Sequence, residues 1–192
     1  MYVVSGVVFA VPFDVKRQTP VGERVPVVEG VGVARSVELG FRGAQFSVST
    51  SGALAYVTGP VDAFADSRLL ALIAPDGMVA PLALPPNAYV APRMSPGGRQ
   101  IAVGIETGTQ AEVWVGEVSG ATSLRRLTFG GKNRYPIWSP DGQRIAYQSD
   151  REGDLGIFWQ KADGTGSAER LTKPESGVEH RPESWSPDNE RM

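Results

Sequence analysis

Cysteine is absent from this chain and histidine occurs once. The first absence removes disulfides, thiolate chemistry and cysteine-ligated zinc, and leaves the redox compartment open. The second leaves His180 as the one candidate base for a Ser-His-Asp arrangement, yet no Gly-x-Ser-x-Gly elbow accompanies it. A zinc site built on histidines needs more than one in most cases. No apolar run approaches the roughly 20 residues that cross a bilayer, so no membrane insertion is expected. Neither sign of charge dominates: 19 basic and 21 acidic residues are scattered for a net charge of −2, with no footprint for nucleic acid or anionic lipid. Helical periodicity is missing too. Gly130-Gly131-Lys132-Asn133 and Gly164-Thr165-Gly166-Ser167 are rich in glycine, but neither has P-loop spacing or a following helix.

What the chain has in quantity is punctuation: 23 Gly and 15 Pro in 192 residues. Much of it falls in a recurring tetrad. Ser49-Thr50-Ser51-Gly52, Ser95-Pro96-Gly97-Gly98, Ser139-Pro140-Asp141-Gly142 and Ser186-Pro187-Asp188-Asn189 are 46, 44 and 47 residues apart. A second turn keeps step at Asp76-Gly77, Ser119-Gly120 and Asp163-Gly164, and short closing strands follow at 80–82, 126–128 and 170–172. A period of about 40 to 50 residues holding several short strands is the mark of a β-propeller, whose blades are antiparallel sheets of about four strands.

The segment 133–172 explains the residue types. In Arg134-Tyr135-Pro136-Ile137-Trp138, Pro136 is expected early in the innermost strand, where a missing ladder hydrogen bond is tolerated, and Trp138 supplies bulk to pack between sheets. In the tetrad that follows, Pro140 presets φ, Asp141 bonds local backbone and Gly142 accepts positive φ. Strands are expected at 144–148, 157–160 and 170–172.

These residues carry a family resemblance. Arg134-x-Pro136-x-Trp138-Ser139-Pro140-Asp141-Gly142, then Ile145-Ala146-Tyr147-x-Ser149-Asp150-Arg151, Asp163-Gly164 and Leu171-Thr172 resemble the WD40-like repeat of TolB-type propellers. The likeness is strong in the last full blade, good over 92–128 and weaker over 45–84. Such propellers occur in periplasmic TolB, ahead of the hydrolase domain in prolyl oligopeptidase relatives, and at the C-terminal end of some bacterial Ser/Thr kinases. The runs at 9–14 and 25–31 look most like the kinase-associated version. Gly97, Asn189 and Thr50-Ser51 depart from the tetrad, and Gly156 stands where an acidic residue often precedes the third strand.

The expected architecture is therefore an all-β propeller of four-stranded antiparallel blades, about four in number, forming one domain over 1–192. Blades are expected at about 42–84, 89–128 and 133–172. The pieces 1–30, beginning as two strands hinged at Ser5-Gly6, and 179–192 together supply a further blade. That blade closes the ring within one chain, or two copies pair through strand edges as a homodimer, or the chain is part of a larger ring.

No catalytic residue or cofactor is expected. His180 sits at a strand entrance and reads as structural or solvent-facing. Asp150 and Asp154, in the acidic loop 150–154, are weak candidates for a hard cation beside Arg151. The expected function is that of a non-catalytic module presenting loops and a central funnel to a protein or peptide. Arg134, Tyr135, Arg151, His180 and Arg181 are its contact candidates, since they lie near strand starts and loops. The alternative is a hydrolase or lyase using carboxylates or a bound cation at the funnel.

Overall fold

The computed structural model describes residues 1–35, 42–50, 52–58, 68–74, 76–107, 110–119, 123–186 and 192; Ser51, Gly120, Pro187, Asp188 and Asn189 of the turn motifs lie outside the described residues. The chain is all-β, and its strands meander. The first sheet orders β1 (Tyr2–Val4), β2 (Val7–Ala10) and β5 (Val25–Val28), with a small ribbon of β3 (Phe13–Asp14) and β4 (Thr19–Pro20) between the last two. Ser5 and Gly6, both at positive φ, make the tight turn that pairs Val4 with Val7. A ribbon of β6 (Val33–Arg35) and β7 (Arg42–Ala44) follows.

Three four-stranded antiparallel sheets complete the fold. They are β8 (Phe46–Val48) to β9 (Leu54–Val57), β10 (Leu70–Ile73) and β11 (Val79–Pro81); β12 (Tyr89–Met94) to β13 (Gln100–Thr107), β14 (Gln110–Glu117) and β15 (Arg125–Arg126); and β16 (Asn133–Trp138) to β17 (Arg144–Ser149), β18 (Gly156–Lys161) and β19 (Glu169–Arg170). Each strand pairs with its sequence neighbour, the order of a propeller blade.

The cores lie between consecutive sheets. Val8, Val28 and Val31 meet Leu54, Tyr56 and Ile73; Val57 and Leu70 meet Met94, Ile101 and Val103; Val113, Val115 and Leu127 meet Trp138, Ile145, Tyr147 and Phe158. The two middle sheets, β8–β11 and β12–β15, thus bury one face on the sheet before and the other on the sheet after. The last blade's outer face, with Ile137, Ala146 and Ile157, is covered by Trp185, which stacks on Trp159 at 6.0 Å. Segment 179–186 runs past this face without entering a ladder among the described residues.

The tetrads work as anticipated, with one addition. Gly52, Gly98 and Gly142 all take positive φ, between 69 and 86°. The serine proves to be the clip: Ser95 Oγ accepts the Gln100 N–H at 3.0 Å and Ser139 Oγ the Arg144 N–H at 2.9 Å, while each serine's carbonyl takes the glycine N–H. Asp141 accepts from the Ser139 hydroxyl and the Gln143 N–H, which hold its carboxyl below the usual range.

Two expectations shift. Pro136 lies inside its strand rather than at its start, because a bulge between Arg134 and Ile137 absorbs the missing N–H; Tyr135 there has φ 55°. Ala91-Pro92 repeats the device with φ 47° at Ala91. The closing strands also end sooner. Leu127 and Thr128 both donate to the Val113 carbonyl, and the Thr128 hydroxyl takes the Val113 N–H at 2.9 Å, so a side chain replaces the ladder. Leu171, Thr172 and Ile157 repeat this arrangement.

Trp138 is 6% exposed and its Nε1 donates to the Arg93 carbonyl of the preceding innermost strand at 2.9 Å. Trp138→Ala is expected to cost about 3 to 5 kcal/mol in urea unfolding. A loss below about 1 kcal/mol contradicts the packing role.

Candidate functional site

Bulges in the innermost strands decide where the site forms. At Tyr135, a residue other than glycine held in the left-handed region, the chain re-aims its side chain, and strain of this kind concentrates at binding sites. The Arg181 guanidinium carbon lies 3.9 Å from the centre of the Tyr135 ring. Burial pushes the Tyr135 phenol up, the charges of Arg181 and Arg134 pull it back, and Glu106 and Glu179 add to the rise. Arg134 Nε pairs with Glu106 Oε1 at 3.1 Å, and Arg181 Nε with Glu183 Oε1 at 2.9 Å.

Farther along the same strands is a cavity of about 410 Å³. Four successive repeats contribute the same stretch to it, drawn from 48–50, 93–96, 137–140 and 183–185. Its walls are mostly apolar, with Met94, Trp138 and Trp185, and its charged members are Arg93 and Glu183. Burial lowers the Arg93 pKa, opposed by Glu183 and reinforced by the like charge of Arg181. The charged groups of the cleft therefore continue one another, from Glu106 and Arg134 through Tyr135, Arg181 and Glu183 to Arg93.

Of the contact candidates, Arg134, Tyr135 and Arg181 come together here. Arg151 stands apart, exposed, with its guanidinium 5.6 Å from the Phe158 ring centre. His180 is sewn into the last blade: its N–H donates to the Leu155 carbonyl, its carbonyl accepts from Gln148 Nε2 at 2.8 Å, and Nδ1 is 2.8 Å from Thr172 Oγ1. Arg93, Glu106, Glu183 and Trp185 were not singled out from sequence. Arg93 carried a signal, being the one charged residue at the position held by Ile137 and Ser184 in the following repeats.

The candidate cation ligands are separately engaged. Asp150 Oδ1 accepts the Lys132 N–H at 2.7 Å, and both Asp154 oxygens take Arg170 Nη2 at 2.6 Å, with Glu152 on Nη1 at 2.7 Å. Among the described residues no group of three or more His, Asp or Glu is placed to hold a metal ion. The Arg170 cluster instead answers the departure at Gly156. In the preceding blade, buried Glu112 occupies the equivalent place and accepts from Arg126, from the Thr128 hydroxyl at 2.7 Å and from Asn133 at 3.1 Å. With no side chain at 156, Arg170 pairs with Asp154 and Glu152 instead, and the site is closed to one: a Cβ there would lie 2.6 Å from the Thr172 carbonyl oxygen.

Successive four-stranded antiparallel sheets packed face to face, with a cleft lined by their first strands, define a β-propeller. The chain belongs to the TolB β-propeller domain family, whose model matches residues 76–192. It is similar to the uncharacterized peptidase YuxL of Bacillus subtilis (strain 168), 35% identical over 82 residues, which take in 43% of this chain and 12% of that protein. Among solved structures it resembles TolB from Acinetobacter baumannii, with TM-score 0.57 and 20% identity, covering 80% of this chain and 36% of that one. It also resembles the acylaminoacyl peptidase of Pyrococcus horikoshii, with TM-score 0.52 and 16% identity over 69% of this chain and 25% of that one. The chain thus spans well under two thirds of each relative.

One expectation is corrected by these relatives. The chain was expected to be non-catalytic for want of an elbow and a second histidine, yet the relative in sequence is described as a peptidase. The repeat residues serve turns and inter-sheet packing, so their pattern is silent on chemistry and does not separate this chain from proteins described as enzymes.

Gly156→Ala, a step toward a side chain at that position, is expected to destabilise by about 1 to 3 kcal/mol in urea unfolding. An unchanged midpoint contradicts the close approach to Thr172.

Proposed function

We propose that this chain is the substrate-handling propeller of a peptidase-type protein and binds peptide segments in the cleft along its innermost strands. The observation that carries the reading is the cavity of about 410 Å³ to which four repeats contribute the same stretch, linked to the Arg181–Tyr135 contact through the Arg181–Glu183 pair. Apolar walls with a few fixed charges suit a ligand that alternates apolar side chains and polar backbone. The description of the sequence relative as a peptidase supports a peptide as that ligand. A protein partner reached through an exposed peptide segment is a form of the same reading.

The test is titration of the chain with free-ended octapeptides of mixed sequence, followed at the indole N–H resonances of Trp138 and Trp185. Saturable shifts with Kd of about 1 mM or tighter are expected. Arg181→Ala is expected to weaken them several-fold. Absence of binding, or binding that leaves both indoles unmoved, overturns the reading.

A further inference from the structure

The cavity carries an unbalanced cation. Arg181 neutralises Glu183 across 2.9 Å, which leaves Arg93 without an ion-pair partner among the described residues. Its guanidinium has one hydrogen bond, from Nη1 to the carbonyl oxygen of the adjacent Pro92 at 3.0 Å, so no acceptor among the described residues takes Nε or Nη2. A second donor lacks a partner in the same wall: Trp185 Nε1 is buried and finds no acceptor. Its counterpart one repeat earlier, Trp138 Nε1, does find one, in the Arg93 carbonyl. The indole N–H is shut off from water without an acceptor, a costly arrangement, whereas the Arg93 donors are not shut off and stay open to a ligand in the cavity.

Resting on the peptide reading above, we infer that this cavity recognises a peptide's C-terminal residue, its free carboxylate on Arg93 and its apolar side chain against Met94, Trp138 and Trp185. A guanidinium fork matches a carboxylate's two oxygens. The balance of Arg93, Arg181 and Glu183 is one positive charge, which suits a monoanion; a phosphate, carrying nearly two, would leave the cavity about one charge negative. The apolar walls lie beside the cation in one small cavity. A C-terminal residue bears carboxylate and apolar side chain on a single Cα, whereas an acidic side chain offers the charge without the apolar group.

The experiment compares three peptides on the intact chain by calorimetry: an acetylated tetrapeptide of three alanines and a terminal leucine with a free carboxylate, the same peptide amidated, and an amidated peptide ending in glutamate. The free acid is expected to bind about tenfold or more tightly than either amide. In Arg93→Gln the advantage is expected to vanish, and Arg93→Lys is expected to restore part of it. The wild-type comparison decides the matter even where Arg93→Gln fails to fold. Equal binding of acid and amide overturns C-terminal recognition and leaves the peptide reading standing. Tight binding of the glutamate amide does the same. Binding of none of these peptides, together with none of the octapeptides, overturns both.

Discussion

Everything in this fold depends on the apolar layer that two consecutive sheets share. A four-stranded sheet has two faces, and in this chain both are buried along the middle strands: Leu54 to Val57 are buried without exception, as are Ile145 to Ser149. Such a sheet cannot stand alone in water, so each needs a neighbour on either side. The repeat in the sequence is the record of that need. Trp138 adds a polar tie to the apolar one, since its indole reaches the backbone of the previous innermost strand.

The cleft follows from the same packing. Once sheets stack face to face, their first strands line up, and equivalent positions of successive repeats face one space. Proline in those strands removes a ladder donor, the bulge that accommodates it turns Tyr135 and Ala91 to positive φ, and the strand ends are re-aimed. Side chains then knit neighbouring blades: Ser47 Oγ accepts the Met94 N–H at 3.0 Å, and Gln148 reaches the His180 carbonyl. The repeat tolerates local substitution because another group nearby can assume the duty, as Asp154 and Glu152 do for Arg170 where Gly156 replaces the acid.

Fold was more legible than site, for a physical reason. Tetrads, glycine turns and apolar strands are local and periodic, so their spacing is visible along the chain; the propeller, the Ser5-Gly6 hairpin and the turn at Gly142 were read from it. The Leu-Thr closing pair was visible as a motif, but its use of the threonine hydroxyl in place of a ladder bond was not. Arg134, Tyr135 and Arg181 are legible by their place at strand starts. Arg93 and Glu183 escaped notice because their meaning comes from facing each other across residues 90 positions apart in sequence. His180 stands out in the sequence as the single histidine, and the structure gives it a backbone-tying part.

Native-state amide exchange measures whether the shared layers make the blades interdependent. The account predicts that central amides of β9, β13 and β17 exchange through one opening reaction with the free energy of global unfolding, and that Trp138→Ala lowers all three together. Independent opening of β17 while β13 keeps its full protection would contradict it.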